Sequence, residues 1–326
     1  MRLISTSGRW LCRALLALLV ASVSPSLARA QVANSGALDL LYPIGARATG
    51  LGTAFVTEQG SEAVWWNPAG LSRMSKPEFS LDHFEVLLMK GDAASFILPV
   101  KPIGVFAISA RLFDYGSQEE RDTLDNPLGE FPNRTFVLGA SFAADFGSSF
   151  DAGVTYHLFR GQAGLNPSFG TSAVDVGVQY RPLADKPLRL GFEIRNLGMS
   201  LQVHDAPQAD ALPTRLHFGA SYDPTFAQFP KEITTHVTAE AVSDASFENR
   251  EFRVGAQLGY TTGPSRLLIR GGYVVQQGEA SGILGGPSLG LGLTSGRVQL
   301  DLARIFESFS TGLGTPPTYI SIRVGL

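Results

Sequence analysis

Five histidines, at positions 83, 157, 204, 217 and 236, are the side chains in this 326-residue chain best suited to metal binding or acid–base chemistry. His157, His217 and His236 fall on the polar face of alternating segments, together with Asp151, Glu193, Glu240 and Asp301. No His-x-x-His motif and no carboxylate-paired spacing accompanies them, so neither a bound metal nor a catalytic dyad is expected. Serine is plentiful but sits in no nucleophile-elbow context. Gly50-Leu51-Gly52 has the look of a dinucleotide loop, yet no strand–helix–strand unit surrounds it and no acidic residue follows at the required distance. The chemistry-bearing residues therefore read as lining. Arg111, Asp175, Arg189, Glu193, Arg195, His217, Arg253 and Arg270 are expected to face an enclosed polar space, and neither enzyme activity nor a cofactor is expected.

The elements that would enclose such a space follow from periodicity. Beyond residue 78 apolar side chains recur every second position. In RTFVLGASFAADF, Phe136, Leu138, Ala140, Phe142, Ala144 and Phe146 share one face, and Val137, Gly139, Ser141, Ala143 and Asp145 the other. LRLGFEIRN sets Leu188, Leu190, Phe192 and Ile194 against Arg189, Gly191, Glu193 and Arg195. About 14 such segments fill residues 79–326, most of them near the length of a tilted transmembrane strand, roughly 9–11 residues. Longer connections are expected at about 115–133, 161–172, 197–214 and 276–286, all read as loops.

Composition separates the two architectures that alternate in this way. Charged residues make up 17% of the chain, against about 25% in an average soluble protein. The polar face carries Gly, Ser, Gln, Asp and Arg and little lysine. That mixture suits a barrel lumen better than the water-facing side of a soluble sandwich, and closure satisfies the backbone without a disulfide. The expected fold is an all-β transmembrane antiparallel barrel of about 14 strands over 79–326.

The N-terminus reads as an export signal over 1–30. Arg2, Arg9 and Arg13 precede the apolar run Ala14–Val20, and Ala28-Arg29-Ala30 fits a cleavage site. The run is too short to span a bilayer, which takes roughly 20 residues. Cys12, the single cysteine, would leave with it. Losing four arginines leaves 22 basic against 29 acidic residues, a net charge of −7. With no basic stripe, nucleic acid is not an expected partner.

Residues 31–78 have a different texture. Gly45, Ala46, Ala48, Gly50, Gly52 and Ala54 allow close backbone approach. Trp65 and Trp66 are large anchors with indole donors. Asn67-Pro68 followed by Ala69-Gly70-Leu71 reads as a capped helical turn. The segment is expected to pack inside the barrel as a hatch, with Gly45, Gly50, Gly52, Trp65, Trp66, Asn67, Pro68 and Gly70 as its structural motif.

GARATGLGTAFV and AVWWNPAGL, followed in order by LRLGFEIRNLG, RLHFGASY, FRVGAQLGY and LLIRGGYVV, resemble the PorV/PorQ family of outer-membrane proteins, a branch of the FadL-like barrels. The resemblance covers nearly all of the chain after residue 30. The chain departs from the family pattern at Thr53, where Gly or Asn is common, at Gly60-Ser61-Glu62, where an acidic pair is common, and at its final Leu326. The resemblance implies a 14-stranded barrel with its N-terminal segment in the lumen. It also implies outer-membrane lipid as surroundings, and either hydrophobic small molecules as cargo or export-system proteins of the type IX kind as partners.

Overall fold

The computed structural model describes residues 36–86, 89–162, 169–183, 186–202, 209–277, 285–306 and 316–326. The expected signal peptide, residues 31–35 and His204 lie outside these. Fourteen strands form a closed antiparallel barrel in which each pairs with its sequence neighbour and the first pairs with the last. They are β1 (Glu78–Val86), β2 (Met89–Val100), β3 (Gly104–Arg121), β4 (Pro127–Phe146), β5 (Phe150–Gln162), β6 (Phe169–Tyr180), β7 (Leu188–Gly198), β8 (Arg215–Tyr222), β9 (Ile233–Asp244), β10 (Arg250–Thr262), β11 (Ser265–Gln277), β12 (Gly286–Ser295), β13 (Val298–Ile305) and β14 (Thr318–Gly325). An even strand number brings the start of β1 and the end of β14 to one end of the barrel, here called the near end. The Leu326 N–H donates to the Pro77 carbonyl there, at 2.9 Å.

The period-two pattern sorts the faces as its chemistry requires. Phe136, Leu138, Phe192, Phe218, Leu258, Leu291 and Ile322 stand exposed on the outside, while Ser141, Asp175, Glu193 and Arg270 are buried inside. Toward the far end the assignment reverses on the strands from β13 round to β5. On β1, Leu81 faces out and Asp82 in; past them His83 and Glu85 face out, and Phe84 and Val86 in. On β3 the inward residue is Phe113 and the outward one Asp114; on β5 they are Phe159 and Arg160. Outward Arg304, Thr318, Glu85, Lys90, Asp114 and Arg134 lie on one line of cross-strand partners. Glu85–Lys90 at 3.6 Å and Asp114–Arg134 at 3.0 Å close ion pairs along it. Opposite charges set directly across strands are mutually favourable. The line marks where the apolar exterior stops, and above it the wall has its greasy side inward.

Two expected loops are partly strand: within 161–172, β5 runs to Gln162 and β6 begins at Phe169, and most of 115–133 is strand. Residues 115–133 continue β3 and β4 as a two-stranded ribbon, paired from Ser117↔Pro132 to Arg121↔Pro127 after a bulge at Gly116, whose φ is 82°. Neighbours β2 and β5 end their pairing at Asp114 and Arg134, so both ribbon edges are open. That is why Pro127 and Pro132, which lack an N–H, read as loop residues yet fit here. Leu124 at the tip is 80% exposed.

The depth of the apolar exterior is testable by arginine placement. Phe142→Arg, in the middle of the apolar band, is expected to destabilise the barrel by about 2–4 kcal/mol, and Thr318→Arg, on the charged line, by about 0–1 kcal/mol. Unfolding titrations in lipid vesicles measure both; equal costs would mean that the exterior faces water.

Candidate functional site

The chain enters the lumen from the far end. The Gly36 N–H donates to the Ala211 carbonyl in the β7–β8 connection, at 2.9 Å. A 3-10 turn, Leu38–Leu41, brings Leu40 and Ile44 into the core with the inward aromatics Phe84, Phe113, Phe159 and Tyr319. Tyr42 meets Phe113 with ring centroids 6.0 Å apart, and Phe84 stacks on Tyr319 at 5.4 Å. Tyr115 donates its hydroxyl hydrogen to Asp39. This far-end basin is apolar and aromatic, and the chain's own residues 38–44 fill it.

From there the segment runs round the inside of the wall. A single turn, α1 (Ala46–Gly50), is tied to β14 by the Ala46 N–H, which donates to Ser321 Oγ at 2.8 Å. Gly50 then lies against Gly290 on β12, Leu51 against Gly255 on β10 and Gly52 against Gly272 on β11. Val56 crosses Gly219 on β8 and Gly191 on β7, Asn67 meets Gly177 on β6, and Pro68 meets Gly153 on β5. A side chain at any of these wall glycines would collide with the segment: a methyl at Gly191 would sit 2.6 Å from the Val56 carbonyl oxygen. The glycines of the polar face are thus a track, cleared so that backbone can lie on backbone.

Asn67 fixes the last part of the path. Its Oδ1 accepts from the Ala69 N–H at 3.0 Å, capping the 3-10 turn Pro68–Leu71, and its Nδ2 donates to the Val56 carbonyl at 2.7 Å. Trp65 and Trp66 are 1% and 4% exposed. Trp65 Nε1 donates to Asp82 at 3.2 Å and Trp66 Nε1 to the Ile44 carbonyl at 3.1 Å. The Arg111 and Arg195 guanidinium groups lie over the two indoles, at 5.2 and 5.3 Å. Gly45, with φ 94°, packs against Glu62, and Gly70 against the Glu58 carbonyl.

The polar lining is not a set of isolated groups. His157 Nε2 is 2.7 Å from Asp175, and His217 Nδ1 is 2.7 Å from Glu240, whose other oxygen accepts from the Phe55 and Val56 N–H groups at 2.7 and 2.9 Å. His236 bridges Glu58 of the segment at 2.7 Å and Asp223 at 2.6 Å. Arg270 pairs with Asp301 at 2.6 Å; Arg323 pairs with Asp301 and, at 3.1 Å, with Glu62. Arg253 reaches Glu251 at 2.7 Å, Arg195 donates to the Trp65 carbonyl at 2.9 Å, and Arg189 lies 3.5 Å from Asp223. Glu193 is buried on the same face of β7.

The histidines thus have carboxylate partners even though no carboxylate-paired spacing accompanies them in the sequence. Their spacings along the chain, 18 and 23 residues for His157–Asp175 and His217–Glu240, arise from strand register and follow no local motif. Among the described residues, no group of three or more His, Cys, Asp or Glu is placed to hold a metal ion. Glu62, together with Glu58 and Arg47, which no local motif marks, supplies the segment's side of the network.

The cavity bordered by Leu41, Thr53, Trp66, Arg195, His217 and Arg253 is about 30 Å³, the share of liquid volume of roughly one water molecule. Burial pushes the Glu58 carboxyl up, but the Arg47 guanidinium and the hydrogen bond from His236 outweigh it and hold the group down at about 2.

No family model matches the sequence, and no curated protein matches it. Among solved structures the chain is similar to the toluene transporter TodX of Pseudomonas putida, with 13% identity and a TM-score of 0.53 over 85% of this chain and 96% of that one. It is likewise similar to the deltaS2 mutant of the TodX monoaromatic hydrocarbon channel, with 13% identity and a TM-score of 0.51 over 86% and 97%. At such identity the likeness concerns the fold.

Two outcomes are expected at this site. Asn67→Ala removes a cap and a buried donor together and is expected to cost about 1–3 kcal/mol in unfolding titrations. The grip of Glu58 depends on acid: its carboxyl is held below the free value of 4.5, so its contribution is full above that pH and is lost as the pH falls toward about 2. Aqueous quenching of the buried tryptophans is therefore expected to rise across that window, and Glu58→Gln to reduce the pH step.

Proposed function

We propose that this chain is a plugged outer-membrane channel for small hydrophobic molecules, non-enzymatic, with residues 36–77 as the hatch and the strands from β1 onward as the wall. The observation that carries the reading is the pairing of an apolar exterior with an apolar, aromatic far-end basin, which the chain's own Leu40, Tyr42 and Ile44 occupy. A basin of that kind favours uncharged, flat or flexible solutes, and two of the structures similar in fold are a toluene transporter and a monoaromatic hydrocarbon channel. Membership of the PorV/PorQ family, with export by the signal over 1–30, belongs to the same proposal and rests on the N-terminal signature. The far end would then face outward and the near end the periplasm.

A second reading, an adaptor barrel of a protein export system, is favoured by one observation of its own. The segment lies in direct contact with the lumenal wall along the glycine track, while the β3–β4 ribbon projects past its neighbours with Leu124 and Leu128 exposed. Planar-bilayer conductance and toluene entry into proteoliposomes separate the two. Under the channel reading, deleting residues 36–71 leaves a folded barrel that conducts ions, and the intact chain speeds toluene entry. An intact chain without effect on toluene entry, with a deletion that fails to assemble, would favour the adaptor.

A further inference from the structure

Toward the far end, Arg195 on β7 and Arg215 on β8 are direct cross-strand partners on the lumenal face. Like charges set directly opposite repel, and among the described residues no other two cations face each other across strands. Neither is in an ion pair among those residues: Arg195 donates to the Trp65 carbonyl at 2.9 Å, and Arg215 lies 3.5 Å from the Thr214 carbonyl. The Arg195 Nε–H has no partner, although the residue is only 7% exposed. The surrounding carboxylates are engaged elsewhere. Asp244, directly across from Arg215 on β9, accepts from the Glu248 and Asn249 N–H groups at 3.0 and 3.2 Å. Glu251 and Glu240 hold Arg253, and Glu240 also holds His217. Asp175 holds His157 and accepts from the Asn196 N–H at 2.7 Å. Glu193, buried two residues before Arg195 on the same face, is then one carboxylate for two guanidiniums.

Both arginines line the cavity of about 30 Å³ between wall and segment, which Thr53 and Trp66 border from the segment's side. We propose that this cavity binds one small monovalent inorganic anion of halide size, clamped between Arg195 and Arg215. A guanidinium withdrawn from water without a counter-charge is strongly unfavourable. A bound anion turns the opposition into a clamp, accepting from the Arg195 Nε–H and from the Arg215 guanidinium in charge-assisted hydrogen bonds. Charge sets the valence, because two guanidiniums against Glu193 leave one positive charge over. Space sets the size: a volume near one water's share suits a monatomic anion and is too small for sulfate or phosphate. A water molecule would fill the same space and leave the repulsion in place. Arg215 is half-buried, so it links the cavity to solvent at the far end. Because the wall supplies the arginines and the segment supplies Thr53 and Trp66, the bound anion forms part of the segment's seat. The site is independent of whether the barrel conducts.

The test uses the chain from residue 31 onward, the form expected after export, folded in detergent at constant ionic strength with potassium gluconate as the balancing salt. Its tryptophans are Trp65 and Trp66, and bromide is the probe, because it quenches an indole that it touches. Emission is expected to fall along a saturable curve, where collisional quenching alone would be linear. Chloride is expected to displace the bromide, and sulfate to leave it in place. Arg215→Gln and Arg195→Gln are each expected to weaken bromide binding about tenfold or more, with heat-modifiable mobility reporting that the variants are folded. In crystals of the unaltered chain soaked in bromide, an anomalous peak is expected between the two guanidiniums. Linear quenching by the unaltered chain, sulfate competing as well as chloride, or a saturable curve unchanged in folded Arg215→Gln would overturn the proposal. If neither variant folds, the soaked crystals decide: a peak between Arg195 and Arg215 supports the site, and none there overturns it.

Discussion

An amide left unpaired in hydrocarbon costs several kcal/mol, and that one penalty shapes the rest of this molecule. A sheet with an apolar exterior has to close, and it does so by the eight paired positions between β1 and β14, Glu78↔Gly325 to Glu85↔Thr318. Closure at fourteen strands leaves an interior too wide for wall side chains to fill alone. Something must occupy it, and among the described residues the segment that leads into β1 does so. Seating that backbone against the wall in turn requires wall positions without side chains. Gly153, Gly177, Gly191, Gly219, Gly255, Gly272 and Gly290 meet that need on seven strands.

The lumen is divided by chemistry, and the segment matches the division. Toward the far end, where the wall turns its apolar side inward, the segment presents Leu40, Tyr42 and Ile44. Farther along its course it presents Arg47, Glu58 and Glu62 to His236, Arg323 and a bed of buried charge. A buried ion pair adds little when compared with a well-packed apolar pair, but removing one partner leaves an uncompensated charge at a cost of about 3–5 kcal/mol. The network therefore works less as glue than as a gauge of position: a slipped segment would strand several charges at once.

Much of this was open to sequence reasoning, and the failures share a cause. The strands and the faces of Phe136, Phe192 and Ser141 follow from a two-residue period, which is local information. The Asn67-Pro68 turn is local too, and the Asn67 side chain does cap it. What escaped depends on register. His157 meets Asp175, and His217 meets Glu240, only because neighbouring strands place them side by side. The far-end basin escaped for a related reason: Phe84 and Phe113 lie on the lumenal face, so their apolar character read as noise in the alternation. The ribbon over 115–133 escaped because proline and glycine mark loops unless both strand edges are open. Thr53 is legible in retrospect. It stands where Gly or Asn is common, and its φ of 56° is a conformation that a β-branched residue adopts only under strain.

That uneven anchoring bears on how such a plug could yield. Residues 46–71 are held by buried hydrogen bonds to the wall: their N–H groups donate to Ser321, Glu240 and Asp82, and Glu58 accepts from Gln179 and His236. Drawing them out would desolvate nothing useful and leave each of those groups unsatisfied, at about 1–3 kcal/mol apiece. Residues 36–44 have a different hold. Their polar ties to the wall include the Gly36–Ala211 backbone bond and the contacts of Asp39 with Tyr115 and Thr135, beside apolar packing by Leu40, Tyr42 and Ile44. An apolar solute can replace apolar packing nearly like for like, whereas it cannot replace an ion pair. Under the channel reading proposed above, the cheapest opening is at the far end, where Leu40, Tyr42 and Ile44 would give way to a guest of their own kind while the glycine track stays occupied. Passage through the whole barrel would require the second, costlier step at the ionic half.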